Sequence, residues 1–91
     1  MARKTVTEDF EIFPKRLSLL MKERKLKQQD LAEFLSVKRQ TVSLYMTGQS
    51  MPDAEQLRNI AIFFNVSSDW LIGLTGDRSV QIRAVDMLGI S

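Results

Sequence analysis

The chain contains neither cysteine nor histidine. That excludes disulfides and any metal site built on thiolate or imidazole, and it fits a reducing cytoplasm, the expected location. No run of about 18 apolar residues is present that would span a bilayer. The first ten residues, MARKTVTEDF, lack the apolar segment of a secretory leader. No stretch of useful length alternates apolar and polar residues, so no strand is expected. Without His or Cys, catalysis would need carboxylates grouped in a pocket, and the eleven acids are scattered. No catalytic residue, metal, cofactor, small-molecule ligand or membrane contact is therefore expected.

What is present is one small domain of 91 residues with an ordinary apolar fraction of 44%. A domain this small buries only roughly 60 to 65% of its unfolded surface, so its stability is modest. The formal net charge is only +2, but it is unevenly spread. Residues 1–50 hold ten Lys or Arg against six Asp or Glu, and residues 51–91 hold three against five. A cationic half is what neutralising a phosphate backbone requires.

Apolar spacing divides the chain into helices. Residues 1–9 have few apolar groups and are expected to form a mobile arm. Phe13, Leu17, Leu20 and Met21 make one face of a first helix, with Pro14 in its first turn, where proline is tolerated. Arg24, Lys25 and Lys27 suit its C-terminal dipole. A second helix starts near Gln28 and turns Leu31, Ala32 and Leu35 inward. A third runs from about Lys38 to Thr47, with Val42 and Tyr45 inward and Gly48 as its stop. Asp53 with Gln56 three residues on resembles a capping box for a fourth helix, which carries Leu57, Ile60, Ala61 and Phe64 and ends at Asn65. Ser67 or Ser68 caps a short fifth helix holding Trp70 and Leu71. The expected fold is all-α with five compact helices, a domain over residues 10–74 and an extension over 75–91. Residues 79–88 of the extension suggest a further short helix, and the natural chain is expected to continue past Ser91.

Residues 28–47, QQDLAEFLSVKRQTVSLYMT, read as two short helices hinged at Ser36-Val37, the second with a polar outer face. That is the pattern of a helix-turn-helix. Ala32 must be small where the two helices cross. The surrounding residues resemble the lambda-repressor/Cro-type helix-turn-helix regulators over about residues 13–74. Gln28, Leu31, Ala32, Ser36, Val37 and Val42 fall on that family's motif, followed by Gly48 and Pro52 and then by Asn65-Val66-Ser67-Ser68-Asp69-Trp70-Leu71. Three positions depart from it. Ser36 stands where the turn favours glycine, at a cost on the order of 1 kcal/mol. Met46 stands where an acid is usual. Lys27 and Lys38 stand where Ser or Thr often caps the two helices, and a lysine there opposes the dipole by about 0.3–1 kcal/mol. Two such penalties at the two helix starts point to phosphate contacts by Lys27 and Lys38.

The resemblance implies a sequence-specific regulator that binds a double-stranded DNA operator, most simply as a repressor. It places Lys38, Arg39, Gln40, Ser43 and Leu44 toward the bases. Arg39 suits a guanine edge and Gln40 an adenine edge, Ser43 suits either kind, and Leu44 suits a thymine methyl. Lys27, Gln28, Thr41, Thr47, Gln49 and Ser50 are placed toward phosphates. One domain reads few base pairs, so a homodimer on a near-palindromic site is expected. Trp70, Leu71, Ile72 and Leu74 form an apolar cluster of which part is core and the remainder, with Val80, Val85, Met87 and Leu88, is the candidate dimer surface. An antitoxin or restriction-modification controller is an alternative that shares the domain. A protein-interaction module that has lost DNA binding is another, opposed by the acid-free polar face of the third helix.

Overall fold

The computed structural model describes residues 6–80, with side chains from residue 11 onward. Five helices follow in order: α1 (Val6–Arg24), α2 (Gln28–Leu35), α3 (Arg39–Thr47), α4 (Ala54–Phe64) and α5 (Ser68–Leu71). Among the described residues there is no strand. No described helix is long and apolar enough to cross a membrane.

Four of the helices end in one way. Lys25, Ser36, Gly48 and Asn65 all adopt the left-handed conformation, with φ of 53°, 59°, 81° and 55°. At each end, two successive N–H groups fold back onto carbonyls of the last turn. Val37 N–H reaches Ala32 at 3.0 Å, Leu26 reaches Met21 at 3.0 Å and Val66 reaches Ala61 at 3.0 Å. This is the Schellman arrangement, which normally carries an apolar residue just past the left-handed one. Leu26, Val37 and Val66 fill that place and pack on the core. Only one of the four stops is glycine. Gly48 is the position where glycine helps most, because it has the largest φ of the four and a Cβ there would stand a tight 3.2 Å from Pro14 Cγ.

The helix starts follow side-chain chemistry. The Asp53 carboxylate accepts the Gln56 N–H at 2.9 Å. Ser67 Oγ accepts from Asp69 and Trp70, which identifies Ser67 rather than Ser68 as the cap of α5.

A single core forms between the helices. α1 contributes Phe13, Leu17, Leu20 and Met21, and α2 contributes Leu31, Ala32 and Leu35. Val42 and Tyr45 come from α3, and Ile60, Ala61 and Phe64 from α4. The α2 and α3 pair leans on α1 through α3 and on α4 through α2. Gln56 Nε2 donates to the Leu35 carbonyl at 3.2 Å, so α4 also caps the end of α2.

Several expectations are corrected. α1 begins at Val6, inside the stretch read as an arm, so residues 6–9 are helical. Pro14 therefore lies inside the helix, not in its first turn. The apolar face becomes regular only at Phe13, which moved the apparent start downstream. Trp70 and Leu71 are 5% and 0% exposed and belong to the core of this one chain, not to a dimer surface. Residues 79 and 80 are non-helical. Residues 1–5, Val85, Met87, Leu88 and most of the suggested sixth helix lie outside the described residues.

The core placement of Trp70 rests on arginines. Arg16 and Arg78 stand 4.8 and 5.0 Å from the indole centroid. Arg16 also donates to the carbonyls of Trp70 and Thr75. Arg78 closes a two-bonded ion pair with Glu23 of α1, at 2.7 and 3.2 Å. Arg24 donates to the Phe64 carbonyl at 2.7 Å, at the negative end of α4. These cations bind the second half of the domain to α1. Arg16 and Arg24 thus do structural work within the basic half, and the cationic surface is smaller than the residue count implies.

Candidate nucleic-acid interface

The two helix starts in the α2–turn–α3 unit differ in a way that the sequence reading missed. Lys27 precedes α2 with no side-chain cap of its own. A lysine has no acceptor to offer. Asp30, three residues on, supplies half of a capping box instead, accepting the Lys27 N–H on Oδ2 at 2.9 Å. The signal was in the sequence as an acid at the third helical position. It was hidden because the box is normally sought behind Ser or Thr.

α3 has no such relief. Lys38 precedes it in extended backbone with no side-chain cap, and there is no acid in its first turn. The N–H groups of Thr41 and Val42 fold back to the Lys38 carbonyl at 2.9 and 3.4 Å. Those of Arg39 and Gln40 have no acceptor among the described residues. The first turn of α3 therefore combines free N–H donors, the positive dipole end and two cationic side chains. Such a combination favours an anion, phosphate above all.

Lys38, Arg39 and Gln40 are exposed on that turn. Thr41, Ser43 and Leu44 are half-buried along the same helix, while Val42 and Tyr45 are buried against the body. The Tyr45 phenol is pushed above its usual range, chiefly by burial and secondarily by Asp53, so it stays neutral as a core residue should. Its ring meets Phe13 edge-on at 6.5 Å, which fixes α3 on α1.

At the far end of α3, Thr47 and Gln49 are exposed and Ser50 is half-buried. Thr47 Oγ1 donates to the Leu44 carbonyl at 3.2 Å, and its lone pairs remain usable. Gln28, first residue of α2, is half-buried and reaches this half of α3, its Nε2 donating to Met46 Sδ at 3.6 Å. Lys27 is exposed beside it. The fold thus brings Lys27 and Gln28 to α3 from the preceding helix, while Lys38 through Ser50 follow α3 itself. Trp70 and Leu71 are apart from this set, and Leu74 is 73% exposed near the end of the described chain. Among the described residues no cluster of acids, histidines or cysteines suits a metal ion.

Comparison with known proteins agrees with this geometry. Residues 17–71 match a family model described as helix-turn-helix. A Bacillus subtilis protein, described as the uncharacterized HTH-type transcriptional regulator YqaE, is 32% identical over 78 residues, which is 85% of this chain and 67% of that protein. The crystal structure of a transcriptional regulator from Listeria innocua aligns with a TM-score of 0.65 at 36% identity, covering 85% of this chain and 68% of that one.

Proposed function

The chain belongs to the helix-turn-helix family of lambda-repressor/Cro type, and from that premise we propose that it is a sequence-specific double-stranded-DNA-binding transcriptional regulator. It is of bacterial or phage kind, acts in the cytoplasm and represses by covering an operator. The observation that carries this reading is the first turn of α3, exposed, uncapped, free of acids and bearing Lys38, Arg39 and Gln40.

Each group has a role set by its chemistry. The free N–H groups and Lys38 meet the phosphate backbone and admit the turn into the major groove, where Lys38 also comes within reach of the bases. Arg39 donates two bonds to a guanine, and Gln40 pairs bidentately with an adenine. Ser43 and Leu44 read deeper along the helix. Lys27, Gln28, Thr41, Thr47, Gln49 and Ser50 hold phosphates and fix the register.

A homodimer supplies the second half-site. With Trp70 and Leu71 consumed by the core, the most exposed large apolar groups among the described residues are Leu74, Ile62 and Val80, and these are the ones proposed for pairing. Ile62 and Val80 border one shallow cleft with Arg58 and Asp69. An apolar centre rimmed by opposite charges is self-complementary about a two-fold axis.

Selection of bound sequences from a random duplex pool tests the proposal. The expected product is a pair of inverted half-sites about one helical turn apart. A pool that shows no enrichment at low salt would reject sequence-specific binding.

A further inference from the structure

We infer that Met46 is a peroxide-sensitive modification site that sets the strength of DNA binding; the inference rests on the DNA-binding reading above. Met46 packs on the core yet is only half-buried, and it borders an open cleft between α1 and the last turn of α3, beside Pro14, Ser18 and Thr47. That cleft gives a small oxidant a route to the thioether. The same sulfur accepts the Gln28 amide at 3.6 Å. A thioether is a weak acceptor, so this contact holds Gln28 loosely and leaves its amide able to turn to a phosphate.

Hydrogen peroxide converts the thioether to a sulfoxide. Its O–O bond breaks, one oxygen forms the S=O bond, the sulfur gives up two electrons, and the other oxygen leaves as water. The product carries a strong, polar acceptor at the point where the sulfur met Gln28. The Gln28 N–H then stays on the protein side, and a phosphate loses its donor. The other described methionines lack this linkage. Met21 is buried at 3% exposure, and Met51, at 41%, makes no hydrogen bond among the described residues.

The test is duplex binding by fluorescence anisotropy before and after hydrogen peroxide, with sulfoxides located by mass spectrometry. Losing one hydrogen bond to a charged phosphate weakens wild-type binding by about tenfold. Methionine sulfoxide reductases with dithiothreitol restore it, the oxygen leaving as water while two thiols close to a disulfide. Treated and untreated M46L bind alike, whereas M51L still loses about tenfold, as the wild type does. Treated and untreated Q28A also bind alike, which tests the linkage with Met46 itself still in place. Met46 sulfoxide with unchanged affinity would overturn the inference. So would a Met46 that stays reduced while Met51 is oxidised, or a loss that persists in M46L. Reduced wild-type protein that binds no duplex would overturn the DNA-binding reading itself, and this inference with it.

Discussion

Replacing Lys38 with serine separates what α3 needs to fold from what it needs to bind. Lys38 precedes α3 with no cap and no neighbouring acid. A serine there accepts an N–H of the first turn, which stabilises a helix by about 1 kcal/mol. Removing a positive charge from the positive end of the dipole adds about 0.5 kcal/mol. The sum, about 1.5 kcal/mol, raises the melting temperature of a domain this size by about 6–12 °C. Lys27→Ser gains less from the charge change, because Asp30 already places a negative charge in the first turn of α2. On DNA the order changes. Each lysine that neutralises one phosphate contributes about 0.9 to the slope of log K against log salt, so each substitution flattens the slope by that amount. The assays are thermal melts by circular dichroism and anisotropy titrations at four or more salt concentrations. A Lys38→Ser protein no more stable than wild type would refute the capping argument. An unchanged salt slope in both variants would refute the phosphate assignment.

Ser36→Gly relieves a left-handed serine at a cost in unfolded-state entropy, for a net gain of about 0.5 kcal/mol in a thermal melt. Trp70→Ala lowers stability by about 3–5 kcal/mol, because the indole is core, whereas Ile62→Asp leaves the melt near wild type and weakens the proposed dimer in sedimentation. The Glu23 carboxyl is held below its ordinary value of 4.5, chiefly by the Arg78 hydrogen bonds. A depressed folded value means that this contribution is complete above pH 4.5 and disappears as pH falls through the lower folded value. Stability curves of wild type and Glu23→Gln should therefore run parallel above that pH and converge below it.

Local chemistry was the most readable part of the chain. Gly48, Asn65, Asp53 and Ser67 mark helix ends because each offers a conformation or an acceptor that the end requires. The inward faces of α2 and α3 followed from helical spacing alone. Lys25 was not recognised as a left-handed stop, since nothing in a lysine signals that conformation. The long-range partners of three arginines were not legible for a different reason. Counting charge treats every cation as solvated, but Arg16, Arg24 and Arg78 act through partners forty or more positions away in sequence. Trp70 and Leu71 were placed on a surface because an apolar cluster looks the same whether it faces the chain or a partner. Their burial within the single chain decides between them, and the stacking of Arg16 and Arg78 covers the indole. Within the candidate interface, the exposure of Lys38, Arg39 and Gln40 was legible from the turn and the opposing apolar face. The difference between the starts of α2 and α3 was not, because it depends on where the Asp30 carboxylate points.

The first turn of α3 is proposed to read base edges. Binding-site selection repeated with Arg39→Ala and Gln40→Ala tests it most directly. Each variant should lose preference at one base pair per half-site, by about 1–3 kcal/mol, while keeping the preferences elsewhere and the salt slope of a protein with its phosphate contacts largely intact. Identical selected sequences from both variants and the wild type would contradict the account.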